Sequence, residues 1–99
     1  MEKSPAATAI IIDDAPLDRA ILKDLISKHA KEVQVKALCT NAKEGLSAIE
    51  RWNPDIIFLD ILMPGMTGFD MLREIPSVKS QIIFTTSYEK YAIEAIRFK

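Results

Sequence analysis

Short strand-like runs alternate along the chain with segments whose apolar residues recur at helical spacing. The strand-like runs cover residues 9–12, 33–38, 56–59 and 82–86. The helical segments cover residues 17–29, 41–52, 69–75 and 91–98, and the Asn53-Pro54 pair ends the second of them. Four strand-then-helix units predict one α/β domain in which right-handed crossovers connect the strands of a parallel sheet.

Several of these elements carry a specific local signal. Residues 56–59 are apolar at every position, which is typical of a central parallel strand that is covered on both faces. Asn41, followed three residues later by Glu44, predicts a capping box at the start of the second helix. The apolar positions predicted to share a helix face are Leu22, Leu25, Ile26 and His29 in the first helix, with Ile21 beside them, Ala42, Leu46 and Ile49 in the second, and Leu72 and Ile75 in the third.

Composition excludes several classes of protein. The chain has 99 residues and a formal net charge of -1, so it lacks the concentrated positive field that general binding to nucleic acids or membrane surfaces requires. It contains no apolar run of the roughly 20 residues that span a bilayer, and its first residues lack the apolar core of a secretory signal. Cys39 is its one cysteine, which excludes an internal disulfide and favours the reducing cytoplasm.

Acidic side chains follow two of the predicted strands. Asp13 and Asp14 end the first strand, Asp60 ends the third, and Thr86 ends the fourth. If the first and third strands are neighbours, three carboxylates meet in one crevice, where they cannot all stay ionised without a cation. Mg²⁺ is the expected cation because it prefers oxygen ligands, and the carboxylate beside it can attack phosphorus. Acidic residues before a helix are also common caps, so at this point a structural role for Asp14, or a loop-entry role for Asp60, stays open.

The residues around these positions resemble the receiver domain of two-component response regulators. The matching segments are IIIDD at residues 10–14, LDILMPGMTG at residues 59–68 and FTTS at residues 84–87. A further segment, TSYEKYAIEA at residues 86–95, is similar to receivers that are attached to LytTR-type DNA-binding domains. The resemblance covers nearly the whole chain, in order and at the spacing of the family.

The resemblance implies a flavodoxin-like (CheY-like) doubly wound parallel sheet with strand order 2-1-3-4. It also implies that Asp60 is the phosphoacceptor and that Mg²⁺ is the cofactor. Asp14 would ligate Mg²⁺ directly, Asp13 mainly through water, and Asp60 and the backbone carbonyl of Leu62 would complete the protein ligands. The remaining implied roles belong to Thr86 as the switch hydroxyl and to Pro64 and Gly65 as the residues that shape the loop after Asp60.

The family's pattern further implies the partners. A sensor histidine kinase or a small acyl phosphate would supply the phosphoryl group, and the domain would be no enzyme beyond catalysing its own phosphorylation and dephosphorylation. DNA would be contacted only by an absent output domain. Residues 1–99 would form a receiver domain that is incomplete at its carboxyl end, because the fifth strand, its lysine and the fifth helix are missing, so weak phosphorylation is expected. The fourth strand and helix would then be uncovered, which predicts self-association.

Other functions fit the residues less well. A phosphotransferase of the haloacid-dehalogenase type needs a second Asp two residues after the first, where this chain has Leu62. In a flavodoxin that binds flavin, Asp13 and Asp14 would repel the phosphate. The main alternative is a degenerate receiver that acts as a phosphorylation-independent dimerisation module. For single residues we expect structural roles, with Cys39 near the end of a strand and Trp52 packing at a helix end.

Overall fold

The computed structural model describes residues 7–75 and 79–85, and these residues form an alternating series of strands and helices. The elements are β1 (Ala7–Ile12), α1 (Pro16–His29), β2 (Val33–Cys39), α2 (Ala42–Trp52), β3 (Ile56–Leu59), α3 (Gly68–Arg73) and β4 (Gln81–Phe84). The first seven predicted elements are confirmed, with ends that differ by at most two residues. The predicted helix at residues 91–98 and the predicted strand end at Thr86 lie outside the described residues.

The four strands form one parallel sheet in the order β2-β1-β3-β4, which confirms the predicted order. β3 lies between β1 and β4, as its uninterrupted apolar sequence predicts. The chain runs outward from β1 to β2 and then returns to place β3 on the other side of β1. The direction of strand order therefore reverses between β1 and β3, which is where ligands bind in open parallel sheets.

Two apolar layers cover the sheet. Ile10 and Ile12 are completely buried in one cluster with residues of α2 and α3, among them Ala42 and Met71. Ile11 is equally buried but lies outside that cluster, because successive strand residues point to opposite faces. Helix α1 packs against β1 and β2. Since β1 is buried on both faces, its last residues are held rigidly where the strand ends.

The first residues of α1 and α2 show which side chains cap these helices and which do not. Asn41 caps α2 as predicted, because its side chain accepts from the Glu44 N–H at 2.8 Å. The predicted capping box is not formed, because the Glu44 carboxylate accepts hydrogen bonds from the N–H and hydroxyl of Thr40, at 2.7 and 2.8 Å, and not from the Asn41 N–H. At α1 the N-cap is Ala15, with no side-chain cap bond. Asp14 is therefore not a helix cap in this structure.

The predicted apolar face of α1 needs correction. Only Ile26 of the predicted α1 face is buried, whereas Leu25 is 48% exposed and Ile21 is 49% exposed. The apolar residues of α1 are spaced so that more than one rotation of the helix about its axis would bury some of them. Packing against the sheet favours the rotation that buries Ile26. The pairing of β2 with β1 also shifts register at Lys36, which is typical of a β-bulge.

The lengths of the described helices decide whether any of them could cross a membrane. The longest is α1, with 14 residues. None of the helices in the described ranges is long and apolar enough to cross a bilayer.

Candidate functional site: three carboxylates at the strand-order reversal

The candidate site lies at the carboxyl ends of β1 and β3. Ile12 and Leu59 are paired in the parallel register, so Asp13 and Asp60 follow as the next residues of the two strands. The Asp60 N–H donates to the Ile12 carbonyl at 2.9 Å, and the Asp13 N–H donates to the Cys39 carbonyl at 3.0 Å. Both acids are therefore still fixed by the hydrogen bonds of the sheet.

The structure brings all three predicted carboxylates together. One oxygen each from Asp13, Asp14 and Asp60 lies within 4.8 Å of the other two. Asp13 is buried, with 5% of its surface exposed, and Asp60 is half-buried. Three carboxylates at this separation repel one another strongly unless a proton or a cation is present.

Burial and the repulsion from neighbouring carboxylates both raise the pKa values of Asp13 and Asp60. Burial, followed by the negative charge of Asp13, raises the pKa of Asp60 to about 6. Burial is also the main reason that the pKa of Asp13 is raised, and the charges of Asp18 and Asp14 add to it. The Ala15 N–H and the Arg19 guanidinium act in the opposite direction on Asp13. The cluster therefore holds protons near neutral pH more strongly than free aspartates do.

The donor atoms of the cluster fit a hard divalent cation. Asp13 Oδ1 accepts the Ala15 N–H at 2.9 Å, and Asp60 Oδ1 accepts the Leu62 N–H at 3.3 Å. These bonds orient the two carboxylates while leaving oxygen lone pairs for another ligand. Oxygen ligands that carry this much negative charge are the ligands that Mg²⁺ and Ca²⁺ prefer.

The loop after Asp60 is short and shaped by its own hydrogen bonds. Gly65 has a φ of 83°, in the left-handed region that favours glycine, and Pro64 beside it is exposed. The Gly68 N–H donates to the Ile61 carbonyl at 2.8 Å, which closes the loop at the start of α3. Leu62 reaches Asp60 through its N–H, so the backbone of the loop passes directly beside the carboxylate. Thr86 lies outside the described residues.

Arg19 is a neighbour of the site that the sequence analysis did not single out. Its Nη1 donates to the backbone carbonyl of Asp13 at 2.7 Å, so it braces the turn between β1 and α1. The sequence does show a basic residue, Arg19, in the first turn of the helix that follows the acidic pair Asp13 and Asp14. The bond to a carbonyl could not be read from the sequence, because a basic residue near acids usually suggests an ion pair.

Cys39 and Trp52 line a different surface feature. An open groove of about 580 Å³ lies between β2 and α2, and none of the three clustered acids lines it. Cys39 is buried, and burial raises the pKa of its thiol to about 11. Lys36 Nζ and Arg51 Cζ lie 5.6 and 5.2 Å from the centre of the Trp52 ring. These contacts agree with the packing roles expected for both residues.

Comparison with known proteins gives concordant results. The family model described as the response regulator receiver domain matches residues 9–99. The transcriptional regulatory protein BtsR of Escherichia coli is 36% identical over 87 residues, and an uncharacterized response regulatory protein of Vibrio vulnificus is 40% identical over 89 residues. These matches cover 87% and 89% of this chain but 36% of each relative, so the chain spans about a third of their length.

A solved structure gives the same result for the fold. The crystal structure of a LuxR-family DNA-binding response regulator from Staphylococcus aureus superposes with a TM-score of 0.79 at 30% sequence identity. The superposition covers 94% of this chain and 80% of that one.

Proposed function

Because the chain belongs to the family of response regulator receiver domains, we propose that Asp60 accepts a phosphoryl group in a Mg²⁺-dependent reaction. Receivers are signalling modules. The observation that carries the proposal is the convergence of Asp13, Asp14 and Asp60 at the point where the strand order reverses. Asp60 is the acid of this cluster that ends the central strand β3 and whose carboxylate is held by the loop that follows it.

The chemistry requires an ionised Asp60. One of its carboxylate oxygens attacks phosphorus, a new O–P bond forms, and the bond between phosphorus and the donor's leaving atom breaks. With a pKa of about 6, Asp60 loses its proton above that pH and becomes nucleophilic. Asp13, Asp14, Asp60 and the Leu62 carbonyl would hold Mg²⁺. When bound, Mg²⁺ offsets the charge of the carboxylates and binds phosphoryl oxygens.

The proposed partners follow from the same site. A histidine kinase would donate the phosphoryl group, and the aspartyl phosphate would then add nearly two negative charges at Asp60. In the proposal, the Thr86 hydroxyl responds to that charge and switches an output domain, most simply a LytTR-type DNA-binding domain. The name of the relative BtsR, a transcriptional regulatory protein, supports such an output. The proposed location is the cytoplasm, which keeps a thiol such as that of Cys39 reduced.

Binding of beryllofluoride, a mimic of the phosphoryl group, tests the proposal. With Mg²⁺ present, we expect the protein to bind beryllofluoride and Asp60→Asn to abolish that binding, because the variant lacks the carboxylate oxygen that bonds beryllium. Asp24→Asn is the matched control. It removes an equally charged but exposed acid that pairs with Lys28 on α1, 3.0 Å away. Both proteins are titrated by calorimetry with and without Mg²⁺.

The outcomes separate the proposal from its main alternative. Mg²⁺-dependent binding that survives Asp24→Asn and is lost in Asp60→Asn supports a phosphorylation switch. Absence of binding by the full-length protein, or equal binding by Asp60→Asn, supports a degenerate receiver that works by dimerisation alone.

Self-association through the fourth strand and helix is a second proposal. Among the described strands, β4 pairs with β3 only, and Ile83 on β4 is 42% exposed. An apolar edge strand invites pairing with another chain. Light scattering is therefore expected to report a dimer or larger species, which Ile83→Lys weakens by placing a charge beside the edge. Leu17→Lys, at an apolar side chain of α1 that is 71% exposed, is the control. A monodisperse monomer contradicts the proposal.

A further inference from the structure

The turn between β1 and α1 is held by hydrogen bonds to three different atoms of Asp13. The Asp13 N–H donates to the Cys39 carbonyl at 3.0 Å, and Oδ1 accepts the Ala15 N–H at 2.9 Å. The Asp13 carbonyl oxygen accepts from Arg19 Nη1 at 2.7 Å. Arg19 belongs to α1, so this third bond connects the helix to the turn that precedes it.

The Asp13 carbonyl lies just beyond the last paired residues of β1 and β2. That last pair is Ile12 with Cys39, and Asn41 already caps α2. The N–H and the C=O of one strand residue point to the same side, so the Asp13 carbonyl faces β2 as its N–H does. The Arg19 guanidinium therefore takes the place that a further N–H of β2 would take if the two strands continued.

This carbonyl bears on the orientation of Asp14. It is part of the planar peptide unit that joins Asp13 to Asp14, so a bond that fixes the carbonyl also fixes the direction in which the chain enters Asp14. Asp14 lies in the turn, between the last residue of β1 and the first of α1. Its carboxylate nevertheless meets those of Asp13 and Asp60. The bond from Arg19 is therefore one of the contacts that hold Asp14 in the cluster.

The charge of Arg19 and its hydrogen bond act in opposite directions on a bound cation. The guanidinium is close enough to the cluster to lower the pKa of Asp13. A positive charge at that distance repels any divalent cation that enters the cluster. The hydrogen bond, by contrast, favours binding if it holds the carboxylates in the arrangement that the cation needs.

We propose that Arg19 is a positioning residue that makes the cluster select Mg²⁺ over Ca²⁺. The inference rests on the proposed Mg²⁺ site and adds to it the residue that sets its selectivity. Mg²⁺ requires near-ideal octahedral coordination at about 2.0–2.1 Å, whereas Ca²⁺ accepts about six to eight oxygen ligands in more variable geometry. A turn fixed by Arg19 suits the stricter ion, and a turn without that bond still suits the more tolerant one.

The test titrates the full-length protein and its Arg19→Met variant with Mg²⁺ alone and with Ca²⁺ alone, followed by calorimetry. Methionine keeps much of the apolar stem but loses the charge and the donor. The affinity for Mg²⁺ is expected to fall about tenfold, as is typical when a residue that orients metal ligands is removed. The affinity for Ca²⁺ should fall much less, so the ratio of the two dissociation constants changes several-fold.

The ratio separates positioning from the other effects of the substitution. Loss of the positive charge alone would strengthen the binding of both divalent cations to the same degree. Partial unfolding would weaken both by the same factor, because both bind the folded state. Neither effect changes the preference between the two ions.

Two variants serve as controls. Arg51→Met makes the same substitution on α2, where the guanidinium lies 5.2 Å from the centre of the Trp52 ring, and should leave both affinities unchanged. Thr8→Val acts at the opposite end of β1, where the Thr8 hydroxyl bonds the carboxylate and the N–H of Asp55 at 3.2 and 3.3 Å. It should lower stability in denaturant and leave the ratio unchanged.

Each outcome decides the question. A lost preference for Mg²⁺ in Arg19→Met alone supports the proposal. An unchanged ratio in that variant, or the same change in Arg51→Met or Thr8→Val, overturns it and leaves the role of Asp60 to the beryllofluoride experiment. Failure of the unmodified full-length protein to bind Mg²⁺ overturns this inference together with the proposed Mg²⁺-dependent reaction.

Discussion

Replacing Gly68 with alanine should lower the free energy of unfolding by about 2 kcal/mol, a typical cost of forcing a methyl group into a packed core. A Cβ at this position would lie 2.8 Å from the Asp60 carbonyl oxygen and 3.1 Å from Leu59 Cγ. A backbone carbonyl cannot rotate away as a flexible side chain can. The loop must therefore shift, and Asp60 shifts with it. Urea unfolding measures the loss of stability, and Mg²⁺ titration is expected to show weaker binding in the same variant.

Gly45→Ala is the control for this prediction. A Cβ at Gly45 would lie 2.7 Å from Ile12 Cδ1 and 3.2 Å from its Cγ1 and Cγ2, which are side-chain and not backbone atoms, and alanine gains about 1 kcal/mol of helix propensity within α2. We expect a smaller loss of stability and unchanged Mg²⁺ affinity. Equal losses in the two variants would show that the contact with the Asp60 carbonyl is not what makes Gly68 necessary.

In the absence of divalent cations, Asp60→Asn should stabilise the domain at pH 7 by about 1 kcal/mol. The pKa of Asp60 is about 6 in the folded domain and 3.8 in an unperturbed aspartate. The full difference corresponds to about 1.4 kcal/mol for each unit, and partial solvent screening of this half-buried carboxyl reduces it to the stated value. The repulsion from Asp13 that contributes to the raised pKa disappears with the charge.

The direction of the pH dependence follows from proton binding. Between pH 3.8 and 6 the folded domain holds the Asp60 proton more often than the unfolded chain does, so stability falls as pH rises. The contribution is fully present below pH 3.8 and is lost above pH 6. Denaturant unfolding in EDTA from pH 4 to 7 should show this decline in the unmodified sequence and a smaller one in Asp60→Asn. Parallel curves for the two proteins would rule out a raised pKa at Asp60.

The effect of added Mg²⁺ on stability can be predicted from the same site. A cation that binds the folded carboxylates stabilises the folded state by mass action. Added Mg²⁺ should therefore raise the stability of the unmodified sequence at pH 7 and raise that of Asp60→Asn much less. These titrations thus test whether Mg²⁺, the proposed ligand, relieves the repulsion among the carboxylates of the cluster.

Strongly local patterns allowed much of this fold to be predicted. The four consecutive apolar residues of β3 predict a central strand, and Asn41 predicts the start of α2, because each signal depends on neighbouring residues alone. The position of Asp13, Asp14 and Asp60 at strand ends predicts their convergence once β1 and β3 are adjacent. That adjacency, and with it the order of strands, came from the resemblance to receivers.

The features that were not predicted depend on contacts between distant segments. The exposure of Ile21 and Leu25 depends on how α1 is rotated over the sheet, and the register shift at Lys36 depends on the pairing of β2 with β1.

Locating the phosphoryl group after reaction with acetyl phosphate and Mg²⁺ tests the central claim most directly. The acyl phosphate is reduced with borohydride, which converts the modified aspartate to homoserine, and the modified peptide is then identified by mass spectrometry. The account predicts homoserine at position 60, unchanged Asp13 and Asp14, and no modification when Mg²⁺ is omitted or in Asp60→Asn. Homoserine at position 13 or 14, or modification that persists in Asp60→Asn, would contradict it.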